Sequence, residues 1–152
     1  MSKELFSIDE SVGYAIYRTG KALKFELRRS FRLAGIDMTS EQWALLCRLW
    51  EREGRSQKEL AECSFKDTAN ITRMIDVLEG RGIVYREKDK HDRRTYRIFL
   101  TDEGRKLKDQ LMPIYISESE RGFSCLTEQE QQDLLSMLNR LYAHVNELRD
   151  KR

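Results

Sequence analysis

The sequence lacks most of what a secreted, metal-binding or catalytic protein requires. Its three cysteines, Cys47, Cys63 and Cys125, are an odd number without Cys-x-x-Cys spacing. That argues against a disulfide framework and for a reducing cytoplasm. Only two histidines occur, His91 and His144, on what read as different elements, so no ligand set for a metal site emerges. The opening stretch M-S-K-E-L-F-S-I-D-E has no apolar core of a signal peptide. No run approaches the ~18 apolar residues of a membrane helix. The expectation is a soluble, cytoplasmic protein with no membrane partner. There is no nucleophile–base pair, no Gly-rich phosphate loop and no paired carboxylates in an apolar setting, so neither catalysis nor a cofactor is expected. Internal repeats, low-complexity tracts and Pro/Gly-rich linkers are missing too, and residues 1–152 read as one continuous domain.

What is abundant is charge. Charged residues make up 36% of the chain and the mean hydropathy is -0.69, which leaves a thin core. Such a core fits an elongated helical protein that completes itself by dimerising. The net charge of +2 hides a polarity. From Arg86 to Arg97 six basic residues face three acidic ones, whereas from Thr127 to Asp150 five acidic residues face two arginines. Positive charge gathered on one element is the footprint of a phosphate binder.

The pattern is mostly helical. Ile8, Val12, Ile16, Leu23, Leu27 and Phe31 recur at helical steps, which predicts a first helix from about Asp9 to Leu33 ending near Gly35. Thr39 and Gln42 form a capping box that opens a second helix through Trp50. Ser56 and Glu59 repeat the device for a short third helix, Ser56 to Glu62. After a turn over Cys63-Ser64-Phe65-Lys66, Asp67 caps a fourth helix whose inward face is Ile71, Ile75 and Leu78, with Met74 alongside. Gly80 and Gly82 break it. Two helices joined by such a turn are a helix-turn-helix. Ile83-Val84-Tyr85 and Thr95 to Leu100 then predict two strands around a charged loop. Thr101-Asp102-Glu103-Gly104 starts another helix with acids where the dipole favours them, and Pro113 kinks it without ending it. Thr127 and Glu130 box the last helix, on which Leu134, Leu138, Leu141, Val145 and Leu148 make a two-heptad seam. The expected fold is mostly α with a small β-hairpin: a winged helix-turn-helix over about 39–101, with dimerisation helices over about 8–34 and 104–150. The apolar dimerisation positions are Ile8, Val12 and Ile16 with the five seam residues.

This order of elements predicts a double-stranded DNA binder. The major groove accepts a helix by its N-terminal residues, here Thr68, Ala69, Asn70, Thr72 and Arg73. Asn suits adenine, Arg suits guanine, and Ala permits approach to a thymine methyl. The competing reading is a solvent-facing helix side, and the loop after it tips the balance. That loop holds Lys88, Lys90, His91, Asp92, Arg93 and Arg94, and an arginine near its tip can enter a narrow minor groove. Asp92, two residues before Arg94, is placed to hold that long side chain extended. Lys88, Lys90, Arg86 and Arg97, with Ser56, Gln57 and Lys66, are expected at the phosphate backbone.

The segments Met38-Thr39-Ser40-Glu41-Gln42-Trp43-Ala44-Leu45-Leu46, Gln57-Lys58-Glu59-Leu60-Ala61, Asn70 to Glu79, and Asp89-x-x-Asp92-Arg93-Arg94 through Leu100-Thr101-x-x-Gly104 carry a resemblance. Over nearly its whole length the chain resembles MarR-family transcriptional regulators, most specifically in the D-x-x-D-R-R motif. The resemblance implies an obligate homodimer built from N- and C-terminal helices. It also implies a pseudo-palindromic operator, most often bound as a repressor and released by a small aromatic or anionic effector. The family's recognition helix falls on Asp67 to Glu79, and its minor-groove arginine on Arg94, anchored by Asp92. Ser64-Phe65 departs from the apolar residue and glycine that many members have in the turn. Some members sense oxidants with a cysteine near the start of the first helix, and here none precedes Cys47. The family's effector cleft lies near Tyr14, Tyr17 and Trp43, although plain core packing is the stronger reading of these aromatics. Two alternatives remain at this point: a winged-helix protein-interaction module without effector or DNA role, and, more weakly, a small-molecule-binding enzyme.

Overall fold

The computed structural model describes residues 7–64 and 67–152. A single 3-10 turn, Ile8–Glu10, precedes α1, Val12–Leu33. The two are separate because the Ser11 hydroxyl accepts from the backbone N–H of Tyr14 at 3.3 Å and becomes the cap itself. The expected helix start at Asp9 is thereby corrected. Gly35, with φ of 80°, follows the end of α1 in a conformation that other residues rarely adopt. The order continues α2 (Ser40–Glu51), β1 (Arg55–Ser56), α3 (Gln57–Ser64), α4 (Thr68–Gly80), β2 (Val84–Lys88), β3 (Tyr96–Leu100), α5 (Asp102–Phe123) and α6 (Glu128–Asp150). Two of the three expected capping boxes are complete, Thr39 with Gln42 and Thr127 with Glu130, and at the third the Ser56 hydroxyl accepts from the Glu59 N–H at 3.1 Å.

Four further expectations are corrected. Cys63 and Ser64 belong to α3 and not to the turn, and Gly80 is still helical. The strand after α4 runs to Lys88, because its edge is satisfied as far as the pair Lys88–Tyr96. The sheet also has three strands and not two. β1 pairs antiparallel with β3 through Arg55–Ile98 and Ser56–Arg97, which makes β3 the central strand in the order β1-β3-β2.

The chain divides into two compact units, one through Tyr115 and one from Ile116. The core of the first unit is continuous. Leu27 and Phe31 of α1, Leu45, Leu46 and Leu49 of α2, Leu60 of α3, and Ile71, Ile75 and Leu78 of α4 join Ile98, Leu100 and Leu111. Pro113 lies inside α5, which runs on to Phe123. The second unit, the end of α5 and all of α6, buries no residue within the single chain. Among the described residues no helix is long and apolar enough to cross a membrane.

The start of α5 is held by backbone proximity. Thr101 donates its hydroxyl to the Gly82 carbonyl at 2.6 Å, and the same Thr101 Oγ1 accepts from the Gly104 N–H at 3.0 Å. Trp50 donates its indole N–H to the Gly104 carbonyl at 3.0 Å. A methyl group on Gly104 would overlap the carbonyl oxygen of Ile83, a main-chain atom that cannot rotate away. Gly104→Ala is therefore expected to destabilise the fold by roughly 1–3 kcal/mol, the usual range for overpacking. Chemical denaturation reads this directly, and an unshifted midpoint would contradict the close approach.

Candidate nucleic-acid interface

The loop between β2 and β3 is built from two Asx turns in series. In these turns a short carboxylate accepts from backbone N–H groups just ahead of it. Asp89 accepts from the His91 N–H at 2.7 Å and from the Asp92 N–H at 3.0 Å. Asp92 then accepts from the Arg94 N–H at 3.1 Å. The loop closes with the Asp89 N–H on the Thr95 carbonyl at 2.8 Å and the Thr95 N–H on the Asp92 carbonyl at 2.9 Å. Asp89 is buried, and its second oxygen pairs with the Arg97 guanidinium. Sequence reasoning assigned Asp89 no role of its own, yet it organises the whole tip. Its place at the head of the D-x-x-D-R-R motif was the available signal.

The tip exposes basic side chains. Lys88, Lys90, His91, Arg93 and Arg94 are all exposed. Arg94 is the extreme case, with 92% of its side chain accessible, and it makes one ion pair, Nε to the Asp92 carboxylate at 3.2 Å. The expected contact between Asp92 and Arg94 is therefore present in the geometry. Among the described residues Lys88, Lys90 and Arg93 form no ion pair within 4 Å.

The residues expected at phosphates divide differently. Arg86 is only 16% accessible and pairs with Asp76 at 2.5 Å and Glu79 at 2.9 Å. It also donates to Gln57 at 3.2 Å and to the Thr72 carbonyl at 3.4 Å. Arg97 pairs with Asp89 and donates to the Gly54 carbonyl at 2.7 Å. Ser56 is buried and accepts from the Glu59 N–H at 3.1 Å, as the third helix's cap. Gln57 donates to the Thr72 hydroxyl at 2.9 Å. These four side chains hold the lobe together through these bonds, a structural role that the sequence expectation did not include. The Ser56–Glu59 bond follows from their spacing, whereas the carboxylates on Arg86 and the Gly54 carbonyl on Arg97 come from other parts of the chain. Lys66 lies outside the described residues.

On α4, Asp67 caps the helix by accepting from the Asn70 N–H at 2.7 Å. Thr68, Ala69 and Arg73 are exposed, and Asn70 and Thr72 half-buried. Asp76 and Glu79 face Arg86 on β2, and Gln57 and Thr72 lie between, so α3, α4 and β2 meet at one guanidinium.

Of the aromatics considered for an effector cleft, Trp43 is buried. It packs against Phe31 at 5.7 Å, Trp50 at 5.4 Å and Tyr115 at 5.0 Å between ring centroids. Tyr14 and Tyr17 meet each other at 6.2 Å, with Arg18 and Lys21 over their rings. Trp43 is thus core, and no described contact joins it to the tyrosine pair. Cys47 is half-buried against the core and burial pushes its thiol up to about 11, which disfavours the reactive thiolate. Cys63 and Cys125 are exposed.

With this geometry in place the comparisons become specific. The MarR family model matches residues 38–96, from the start of α2 to the start of β3. The HTH-type transcriptional regulator TtmR of Methylorubrum extorquens is 34% identical over 147 residues, covering 91% of this chain and 71% of that protein. The chain belongs to the MarR family. A MarR transcriptional regulator from Methanosarcina mazei superposes with a TM-score of 0.80 at 26% identity, over 90% of this chain and 97% of its own. The repressor CouR, solved on a 23-mer DNA duplex, superposes at 0.83 with 27% identity, over 93% of this chain and 99% of its own. CouR of Rhodococcus jostii RHA1 has also been solved with p-coumaroyl-CoA. Six helices with a small antiparallel sheet make the MarR winged-helix fold. Its curated relatives are named as transcriptional regulators, and the chain is a MarR-family transcriptional regulator.

The Asp89 hub carries a pH signature. Backbone N–H groups of His91 and Asp92 and the Arg97 guanidinium hold its carboxyl down at about 2. A depressed folded-state value stabilises the fold above the unfolded value near about 4 and loses that contribution as pH falls toward 2. Asp89→Asn is expected to be less stable than wild type at neutral pH and to flatten the acid limb of the stability curve. Denaturation midpoints measured across pH check this, and parallel curves would remove Asp89 from its role.

Proposed function

We propose that the chain binds a pseudo-palindromic operator as a homodimer, acts as a repressor in the cytoplasm, and is released by a small aromatic or anionic effector. The observation that carries the DNA half is the wing tip. A rigid double Asx turn leaves a nearly fully exposed guanidinium, Arg94, oriented by one neighbouring carboxylate. Holding a long side chain in place before binding reduces the entropy lost on ordering it. An extended arginine gains further from the negative potential of a narrow minor groove. Lys88, Lys90 and Arg93 supply the surrounding phosphate attraction, while α4 offers its N-terminal residues to the major groove. CouR, alike over nearly the whole chain, was solved on duplex DNA, which supports the same use here.

The homodimer rests on apolar surface that one chain leaves uncovered. Val12 is 72% accessible, with Ile8, Ile16 and Leu23 also exposed toward the amino terminus. On α6, Leu138, Leu141, Val145 and Leu148 are exposed and Leu134 half-buried. Large apolar side chains exposed in such a row are what a protein–protein interface covers. The effector half rests on the p-coumaroyl-CoA complex of CouR. Tyr14 and Tyr17, with Arg18 and Lys21 beside them, offer rings and cations to such a ligand.

Fluorescence anisotropy with labelled duplexes selected from random DNA tests the reading. Affinity should fall steeply as salt rises, with a log–log slope set by the phosphates engaged. Flat or absent binding to every duplex would instead favour a protein-interaction module. Arg94→Ala should weaken operator binding by about 1–3 kcal/mol with thermal midpoint and sedimentation unchanged, and wild-type affinity in that variant would take the wing out of the mechanism. Truncation before Leu134 should yield unfolded or aggregated protein. A folded monomer of that length in sedimentation equilibrium would contradict the dimer.

A further inference from the structure

The first two turns of α4 offer four polar side chains to a groove, and their hydrogen bonds sort them. Thr68 is exposed. Thr72 is engaged twice: it donates to the Thr68 carbonyl at 2.8 Å and accepts from Gln57 at 2.9 Å. Asn70 is engaged on both ends of its amide. Its Nδ2 donates to the Asp67 carboxylate at 3.2 Å, and its Oδ1 accepts from Arg73 Nη2 at 2.5 Å. Bidentate adenine pairing needs that same Oδ1 and Nδ2 together; with one donor and one acceptor site of the amide already engaged on the protein, Asn70 is less free than Arg73 to serve a base. The amide orientation is itself determined, because a carboxylate can only accept and a guanidinium can only donate.

Arg73 is the sole cation of α4. It uses an N–H on Asn70 and leaves the remainder of its fork open among the described residues. The bond restricts a side chain that otherwise has large rotamer freedom, and Asp67 polarises the amide in the direction that strengthens it.

We infer that Arg73 is the guanine-reading residue of the recognition helix and that Asn70 is its positioning residue, locked by Asp67, and reads no base itself. This rests on the DNA-binding function proposed above. The inference assigns chemistry: each half-site carries a guanine whose O6 and N7 face Arg73 in the major groove. No independent adenine preference is attached to Asn70.

The test is a double-mutant cycle on wild type, Asn70→Ala, Arg73→Ala and the double variant, using the operator that wild type selects from random DNA. Binding is measured to that duplex and to duplexes with each half-site base pair replaced in turn. Asn70 and Arg73 are not in the core, and the Asp67 cap uses the backbone N–H of residue 70, so folding survives; unchanged thermal midpoints verify it. Arg73→Ala should lose discrimination at one G·C pair by on the order of tenfold or more. Asn70→Ala should lose part of the discrimination at that same pair, and the double variant should be no worse than Arg73→Ala alone. A merely structural role for Asn70 would weaken all duplexes equally. Either that uniform loss, or a loss at a different base pair in Asn70→Ala, or additive losses in the double variant would overturn the inference. If wild type selects no sequence at all, the regulator reading fails first and this assignment fails with it.

Discussion

The arrangement of α3, α4 and β2 depends on where one half-buried arginine sits. Arg86 leaves β2 and reaches two carboxylates and a carbonyl of α4, together with the Gln57 amide of α3. Three elements from separate parts of the sequence share one cation. A guanidinium suits this task because its planar, fixed array of donors imposes directions as well as attraction. The angle between α4 and β2 is thereby set by hydrogen-bond geometry, where apolar contact alone would let the helix slide. The core beneath supplies the stabilisation, through Ile71, Ile75 and Leu78 packed without exposure.

The central strand extends the same logic. β3 is bonded on both sides, so the hairpin is anchored to the segment just before α3 as well as to β2. Gly54, with φ of 76°, lets the chain turn there, donating its N–H to Ile98 and accepting from Arg97. Arg97 in turn reaches Asp89 at the loop. A continuous polar path thus runs from the start of the helix-turn-helix to the base of the wing tip.

What was legible in the sequence was local. Thr39 with Gln42, Asp67, and Thr127 with Glu130 announce helix starts because a cap and its partner lie within one turn. The Asp92–Arg94 contact was legible for the same reason. The inward face of α4 could be read from its spacing. What escaped was non-local. β1 is two residues long and exists only because β3, some forty positions later, offers a free edge. Arg86 and Arg97 look like phosphate ligands by composition, and only the fold reveals that carboxylates from other elements already claim them. Trp43 meets Tyr115 through tertiary packing that no periodicity encodes. The start of α1 misled for a different reason: Ser11 competes as a cap inside an apolar pattern that runs straight through it.

The wing tip closes on itself. The bonds between Asp89 and Thr95, and those made by the Asp89 carboxylate to the next residues, lie within the loop or at its base. The side chains at positions 90, 91, 93 and 94 project without supporting anything behind them. Such a loop is an exchangeable cassette. The outer positions can change while the frame bonds of Asp89, Asp92 and Thr95 stay in place, so what the tip touches and how it folds are separate features of the loop.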